Sequence, residues 1–64
     1  MDSLKQLRSD LNLSQEKMAQ KIGVTLSYYQ KIEQGNVMAA AGFIRKFKKA
    51  FPHVSTEIFF QDGR

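Results

Sequence analysis

The sequence contains no cysteine and no tryptophan, and a single proline among its 64 residues. The absence of cysteine excludes a disulfide scaffold and a thiolate metal site, and it fits a reducing compartment. No segment approaches the roughly 20 apolar residues of a membrane span, and the charged residues of segment 1–10 argue against a signal peptide. We therefore expect a cytoplasmic protein with no membrane partner.

Groups that carry catalysis are also scarce. The only histidine, His53, follows Pro52 in a turn and has no nucleophile or carboxylate at motif spacing. The six acidic residues are scattered, and no glycine-rich phosphate loop is present. A chain of this length also leaves little room for a substrate pocket. We expect no enzyme activity, no cofactor, no metal site and no small-molecule substrate.

Positive charge is the main compositional feature that is present. Ten Lys and Arg residues against six Asp and Glu residues give a net charge of +4, with a pI near 9.7. A basic balance is typical of a domain that binds a polyanion, although it is weak evidence alone because excess charge also favours solubility. The length predicts one domain over residues 1–64.

The spacing of apolar residues predicts four or five helices and no convincing strand. Leu4, Leu7 and Leu11 form the apolar stripe of a first helix. Ser14 is the predicted N-cap of a second helix, and Gly23 suits its C-cap because glycine adopts the left-handed conformation without a Cβ clash. The buried stripe of that second helix is Met18, Ala19 and Ile22.

The second half of the chain predicts three more helical segments. Thr25 caps the third helix and Gly35 closes it. Pro52 ends a fourth helix. The apolar face of that helix is Phe43, Ile44, Phe47, Ala50 and Phe51. Residues 38–41 either extend this helix backward or form a small apolar patch. Ser55 is the predicted cap of a last short turn, in which Val54 and Phe59 form a hydrophobic staple.

The third helix has two different faces. One arc is apolar and aromatic, with Tyr28, Tyr29 and Ile32. The opposite arc is polar, with Ser27, Gln30, Lys31 and Gln34. Only one residue of the polar arc is charged, whereas a face that merely meets water is usually richer in Glu and Lys. Amides and hydroxyls can both donate and accept hydrogen bonds, as the edges of DNA bases require.

Residues 13–35, LSQEKMAQKIGVTLSYYQKIEQG, resemble the helix-turn-helix of Cro and phage repressors, the XRE family. The shared features are a leucine before a Ser-Gln-Glu start, an alanine in mid-helix, a Gly-Val turn, a Ser or Thr cap and an Ile-Glu-x-Gly finish. The flanking helices match over nearly the whole chain. The resemblance implies an all-α, lambda-repressor-like bundle of five short helices whose third helix enters the major groove of double-stranded DNA.

The resemblance and the polar arc together predict the DNA contacts. Base contacts are expected from Leu26, Ser27, Gln30, Lys31 and Gln34. Glutamine pairs with adenine, lysine reaches guanine, and Leu26 contacts a thymine methyl where many relatives carry a polar residue. Phosphate contacts are expected from Gln15, Thr25, Tyr28 and Asn36. The alternative is that the arc is an ordinary solvated face and Gln15 an ordinary exposed residue.

Three further expectations concern charge and assembly. The resemblance implies a structural salt bridge between Arg8 and Glu33, the alternative being two solvated charges. The basic residues of segment 45–49 predict a solvated face, with a flanking phosphate contact as the less favoured reading. A short last helix cannot point all its apolar residues inward, so Phe60 is expected at or beside the two-fold contact of a weak homodimer. The alternative is that Phe60 covers the end of the core.

The resemblance implies a transcriptional regulator whose two protomers bind a pseudo-palindromic operator. The simplest form is a repressor of phage or mobile-element type that occludes a promoter. The alternative is a protein-binding module of the same fold, similar to an antirepressor or antitoxin. Two features favour that alternative: segment 36–44 carries no charge, and residues 58–60 are apolar.

Overall fold

A computed structural model describes residues 2–61, and Met1 and residues 62–64 lie outside the described part. The described residues form five helices and no strand, which confirms the prediction of an all-α bundle. The helices are α1 (Asp2–Asp10), α2 (Gln15–Ile22), α3 (Leu26–Gln34), α4 (Ala41–Ala50) and α5 (Ile58–Gln61).

The ends of α2 and α3 form as their cap residues predict. The Ser14 hydroxyl accepts a hydrogen bond from the Lys17 N–H at 3.1 Å, and the Thr25 hydroxyl accepts one from the Tyr28 N–H at 3.2 Å. Gly23 has φ +94° and therefore lies in the left-handed region, where a Cβ is strained. Because only two residues separate α2 from the cap of α3, the two helices turn sharply against each other.

Packing of α2, α3 and α4 builds most of the core, and α1 adds one buried leucine. The buried apolar residues are Leu4, Met18, Ala19, Ile22, Tyr29, Ile32, Phe43 and Phe47. Phe59 of α5 packs its ring edge-to-face on Phe47, with 4.9 Å between the ring centroids. The shortest helix is therefore held on the bundle by an aromatic contact.

The first helix is shorter than its leucine spacing predicts. It ends at Asp10, and Leu11 lies in the following turn with 43% of its surface exposed. The helix stops here because Asn12 adopts a left-handed φ of +58°. The helical conformation ends at that point, and Leu13 instead packs partly buried against the core. Leu11, predicted in the apolar stripe of the first helix, therefore lies just outside that helix and is exposed.

The segment before α4 does not extend that helix backward beyond Ala41. Met38 is 90% exposed, whereas Ala39 packs against the core. Ala40 occupies the N-cap position and offers no side-chain hydrogen bond. Phe51 follows the last helical residue, so it is not part of the helix as predicted, although it still packs against the core.

Ser55 does not cap α5. Its hydroxyl accepts a hydrogen bond from the Glu57 N–H at 3.1 Å, and the helix begins only at Ile58. Serine readily forms such a bond two residues ahead, which closes a local turn rather than a helix end. The two predicted staple residues, Val54 and Phe59, are both partly buried against the core.

Candidate nucleic-acid interface

One side of α3 presents the residues predicted to contact bases. Four of them are exposed and Gln30 is half-buried. The exposed ones are Leu26, Ser27, Lys31 and Gln34. The opposite side of the same helix buries Tyr29, Ile32 and Glu33. Because one side is fixed in the core, the polar side faces outward along the whole length of the helix.

Gln15 links the start of α2 to this polar side. Its Oε1 accepts a hydrogen bond from Gln30 Nε2 at 3.1 Å, and its Nε2 donates one to Glu33 Oε1 at 2.8 Å. Gln15 is half-buried, so its description as an ordinary exposed residue is wrong. Gln15 of α2 therefore orients the side-chain amide of Gln30 on α3.

Glu33 is the centre of a buried polar network. Arg8 Nε donates to Glu33 Oε2 at 2.8 Å, and Arg8 Nη2 donates to Oε1 at 3.3 Å. The Tyr29 hydroxyl donates to Oε2 at 2.6 Å. The structure thus brings Arg8 and Glu33 together, with Glu33 only 5% exposed. The alternative of two solvated charges is wrong.

The network changes the titration of its members. Burial raises the pKa of Glu33, but hydrogen bonds from Arg8, Tyr29 and Gln15 outweigh that effect and lower it overall. Burial, and then the hydrogen bond to Glu33, raise the pKa of the Tyr29 hydroxyl. The hydrogen bond to Glu33 raises the pKa of Arg8. At neutral pH the carboxylate is therefore charged and Tyr29 keeps its proton as a donor.

Two members of this network, Tyr29 and Gln15, were not predicted from the sequence. Tyr29 was expected in the core alone, although Tyr29 and Glu33 are four residues apart and share one face of the helix. That spacing was the available signal for a hydroxyl-carboxylate contact. Gln15 offered no comparable signal, because its bonds to Glu33 and Gln30 depend on the angle between α2 and α3.

The residues predicted to contact phosphates lie near the two ends of α3 and at the start of α2. Thr25 is exposed at the N-terminal end. Tyr28 is half-buried, and its ring packs edge-on against Phe43 at a centroid distance of 6.0 Å. Asn36 follows the C-terminal end, where its Nδ2 donates to Gln34 Oε1 at 3.2 Å. The structure therefore brings Thr25 and Tyr28 together and leaves Asn36 at the opposite end.

Among residues 2–61, no three or more His, Cys, Asp or Glu residues are grouped in a way that could hold a metal ion. Among the same described residues, no helix has both the length and the apolar character needed to cross a membrane.

A sequence model of the helix-turn-helix family matches residues 4–59. The match runs from α1 into the start of α5, with α2, α3 and α4 entirely inside it. The chain belongs to the Cro/C1-type helix-turn-helix family. This confirms the resemblance that residues 13–35 carry, and it places the protein among DNA-binding transcription regulators.

Within the helix-turn-helix, α2 and α3 are the paired helices and Gly23 lies in the turn between them. The buried network extends this pair to α1 through Arg8. Comparison with curated proteins and with solved structures gives no match. The family membership thus depends on the helix-turn-helix sequence and its flanking helices.

Proposed function

We propose that this chain binds double-stranded DNA in a sequence-specific manner, with α3 in the major groove. The observation that carries the proposal is the outward side of α3, which presents hydroxyl, amide and ammonium groups while its opposite side is fixed in the core. The major groove is about 12 Å wide and admits one helix. The net charge of +4 complements the DNA backbone.

Each side chain on the outward side of α3 has a proposed role in DNA recognition. Gln30, oriented by Gln15, pairs with adenine, and Lys31 reaches guanine. Ser27 and Gln34 supply further hydrogen bonds. Leu26 is apolar and exposed at the first turn of α3, where it contacts a thymine methyl.

Phosphate contacts fix the register of the helix in the groove. We assign them to Gln15, Thr25, Tyr28 and Asn36. Gln15 can serve both DNA and the network, because its Nε2 carries two hydrogens and the bond to Glu33 uses one. Thr25 also retains its O–H as a donor, since its oxygen only accepts from the Tyr28 N–H.

We further propose that the protein is a single-domain repressor of phage or mobile-element type. It would repress by occluding a promoter. A single helix reads too few base pairs for useful specificity, so two protomers would occupy half-sites of a pseudo-palindromic operator about 34 Å apart. Phe60, which is 67% exposed, supplies the two-fold contact of a weak homodimer.

The first test is selection of bound duplexes from a random DNA pool, followed by affinity measurements over a range of salt. We expect enrichment of a related set of sequences. We also expect affinity to fall as the salt concentration rises, with a log-log slope of about 0.9 for each phosphate that a Lys or Arg side chain neutralises. A flat salt response, or no enrichment over competitor DNA, would contradict DNA binding.

The second test separates base contacts from the rest of the interface. Ser27→Ala or Gln30→Ala should relax the preference at one or two base positions and cost about 1 to 3 kcal/mol on the selected site. Gln15→Ala should weaken binding to all sequences and also relax the position that Gln30 reads. Gln20→Ala, at an exposed position of α2, is the control and should change neither.

The alternative function is a protein-binding module of antirepressor or antitoxin type. Met38 favours it, because this residue is 90% exposed in a segment without charge. A chain that enriches no DNA yet keeps its fold would support this alternative.

A further inference from the structure

Lys46 of α4 lies beside the turn between α2 and α3. Its Nζ is 3.5 Å from the Gly23 carbonyl oxygen. Together with that turn it borders a shallow surface groove lined by Gly23, Val24, Thr25, Tyr28 and Lys46. The sequence groups Lys46 with the other basic residues of α4, whereas the structure separates it from them.

The neighbouring basic residues lie in different surroundings. Arg45, Lys48 and Lys49 are exposed, and none of them lines this groove. Lys48 Nζ donates to the Pro52 carbonyl at 3.0 Å, beyond the C-terminal end of α4. Lys46 is therefore the basic residue of segment 45–49 that the fold directs to the helix-turn-helix.

The groove has the chemistry of an anion contact. A donor-acceptor distance of 3.5 Å is long for a hydrogen bond, so the Gly23 carbonyl holds the Lys46 ammonium only weakly. A phosphate oxygen would make a shorter, charge-assisted bond. Thr25 and Tyr28, which carry hydroxyl groups, line the same groove, and none of its lining residues is acidic.

We propose that Lys46 contacts a DNA backbone phosphate and anchors the strand that passes the turn between α2 and α3. The inference depends on the proposed function, because α3 in the major groove brings a phosphate backbone close to its N-terminal end. Thr25 and Tyr28 are already assigned to phosphates at that end. Lys46 adds the positive charge that the two hydroxyl groups lack.

The test compares Lys46→Gln with Lys49→Gln, a substitution that removes the same charge from another exposed position of α4. On the duplex selected by wild type, Lys46→Gln should reduce the salt slope by about 0.9 per bound protomer. At about 0.15 M salt this equals an affinity loss of about fivefold per protomer, with base preference unchanged. Lys49→Gln should keep the wild-type salt slope. Lys46→Arg, which retains the positive charge, should keep it as well.

Ethylation of single phosphates supplies an independent readout. At one phosphate, ethylation should weaken binding of wild type and of Lys49→Gln but leave Lys46→Gln unaffected. If wild type binds DNA and the two glutamine variants behave alike in both measurements, the assignment of Lys46 is overturned and the proposed function stands. If wild type selects no DNA, the proposed function fails, and the inference fails with it.

Discussion

At the scale of single residues, the main feature of the described chain is the buried acid Glu33. Its carboxylate is buried and accepts hydrogen bonds from Arg8, Gln15 and Tyr29. Removing a carboxylate from water is costly, and several charge-assisted bonds offset that cost. Three helices contribute the donors, so the group fixes the relative position of α1, α2 and α3.

We predict that Glu33→Gln lowers the free energy of unfolding by about 2 to 3 kcal/mol. The substitution keeps the shape of the side chain but removes the charge that Arg8 and Tyr29 bind. Urea denaturation at neutral pH measures the difference. Glu16→Gln, which removes an exposed acid in the first turn of α2, is the control, and we expect it to cost much less. An equal loss in both variants would contradict a special role for Glu33.

The lowered pKa of Glu33 predicts a stability difference that depends on pH. A carboxyl whose pKa is lower in the folded state stabilises the fold above its unfolded pKa, here ordinarily 4.5. That stabilisation is lost as the pH falls below 4.5 and through the lower folded value. Wild type and Glu33→Gln should therefore differ most near neutral pH and converge in acid. Denaturation series at several pH values test this, and a constant difference would contradict it.

At the scale of helices, α2 and α3 depend on their caps and on the turn between them. They contain eight and nine residues. Isolated helices of this length are marginal in water, so tertiary packing and capping must stabilise them. Gly23 ends α2 in the left-handed conformation, and its N–H donates to the Ala19 carbonyl at 2.8 Å.

We predict opposite effects for alanine at two glycines. A Cβ at Gly23 meets no atom within 4 Å. Gly23→Ala should therefore cost about 1 to 2 kcal/mol through backbone strain alone. A Cβ at Gly42 meets nothing either, but this residue is inside α4. Gly42→Ala should stabilise the protein by about 0.4 to 1 kcal/mol. Thermal unfolding measures both, and shifts of the same sign would contradict the explanation.

At the scale of the whole molecule, two large apolar side chains stand out on the surface. Phe60 of α5 is 67% exposed, and Met38 between α3 and α4 is 90% exposed. An exposed aromatic side chain is a suitable anchor for a contact between two identical protomers. A flexible methionine in an uncharged segment better suits an adaptable surface.

We predict a weak dimer that is largely monomeric when dilute and paired on DNA. Phe60→Ser should leave the fold intact but reduce cooperative loading of two protomers on a palindromic duplex. Sedimentation with and without the duplex measures this, and Met38→Ser is the matched variant of a second exposed apolar residue. Unchanged cooperativity in Phe60→Ser would place the contact elsewhere, and a loss in Met38→Ser alone would place it at residues 36–40.

Local chemistry explains what could be predicted from the sequence. The hydroxyls of Ser14 and Thr25 cap helices because they bond to amides three residues ahead, and Gly23 and Gly35 end helices because they tolerate positive φ. Helical periodicity separates the two faces of α3, because each residue along a helix is rotated about the helix axis by a fixed angle from the one before it. The helix order and the polar side of α3 were therefore predictable.

Tertiary packing decided the rest, because the partners come from distant parts of the chain. Arg8 and Glu33 are 25 positions apart, and Lys46 and Gly23 are 23 apart. The sequence suggested the first pair only through a family resemblance and the second pair not at all. Leu11 has a core-like spacing, yet α1 ends before it, at the left-handed Asn12, and Leu11 is exposed. Gln15 binds Gln30 only because the turn at Gly23 sets α2 at the required angle to α3.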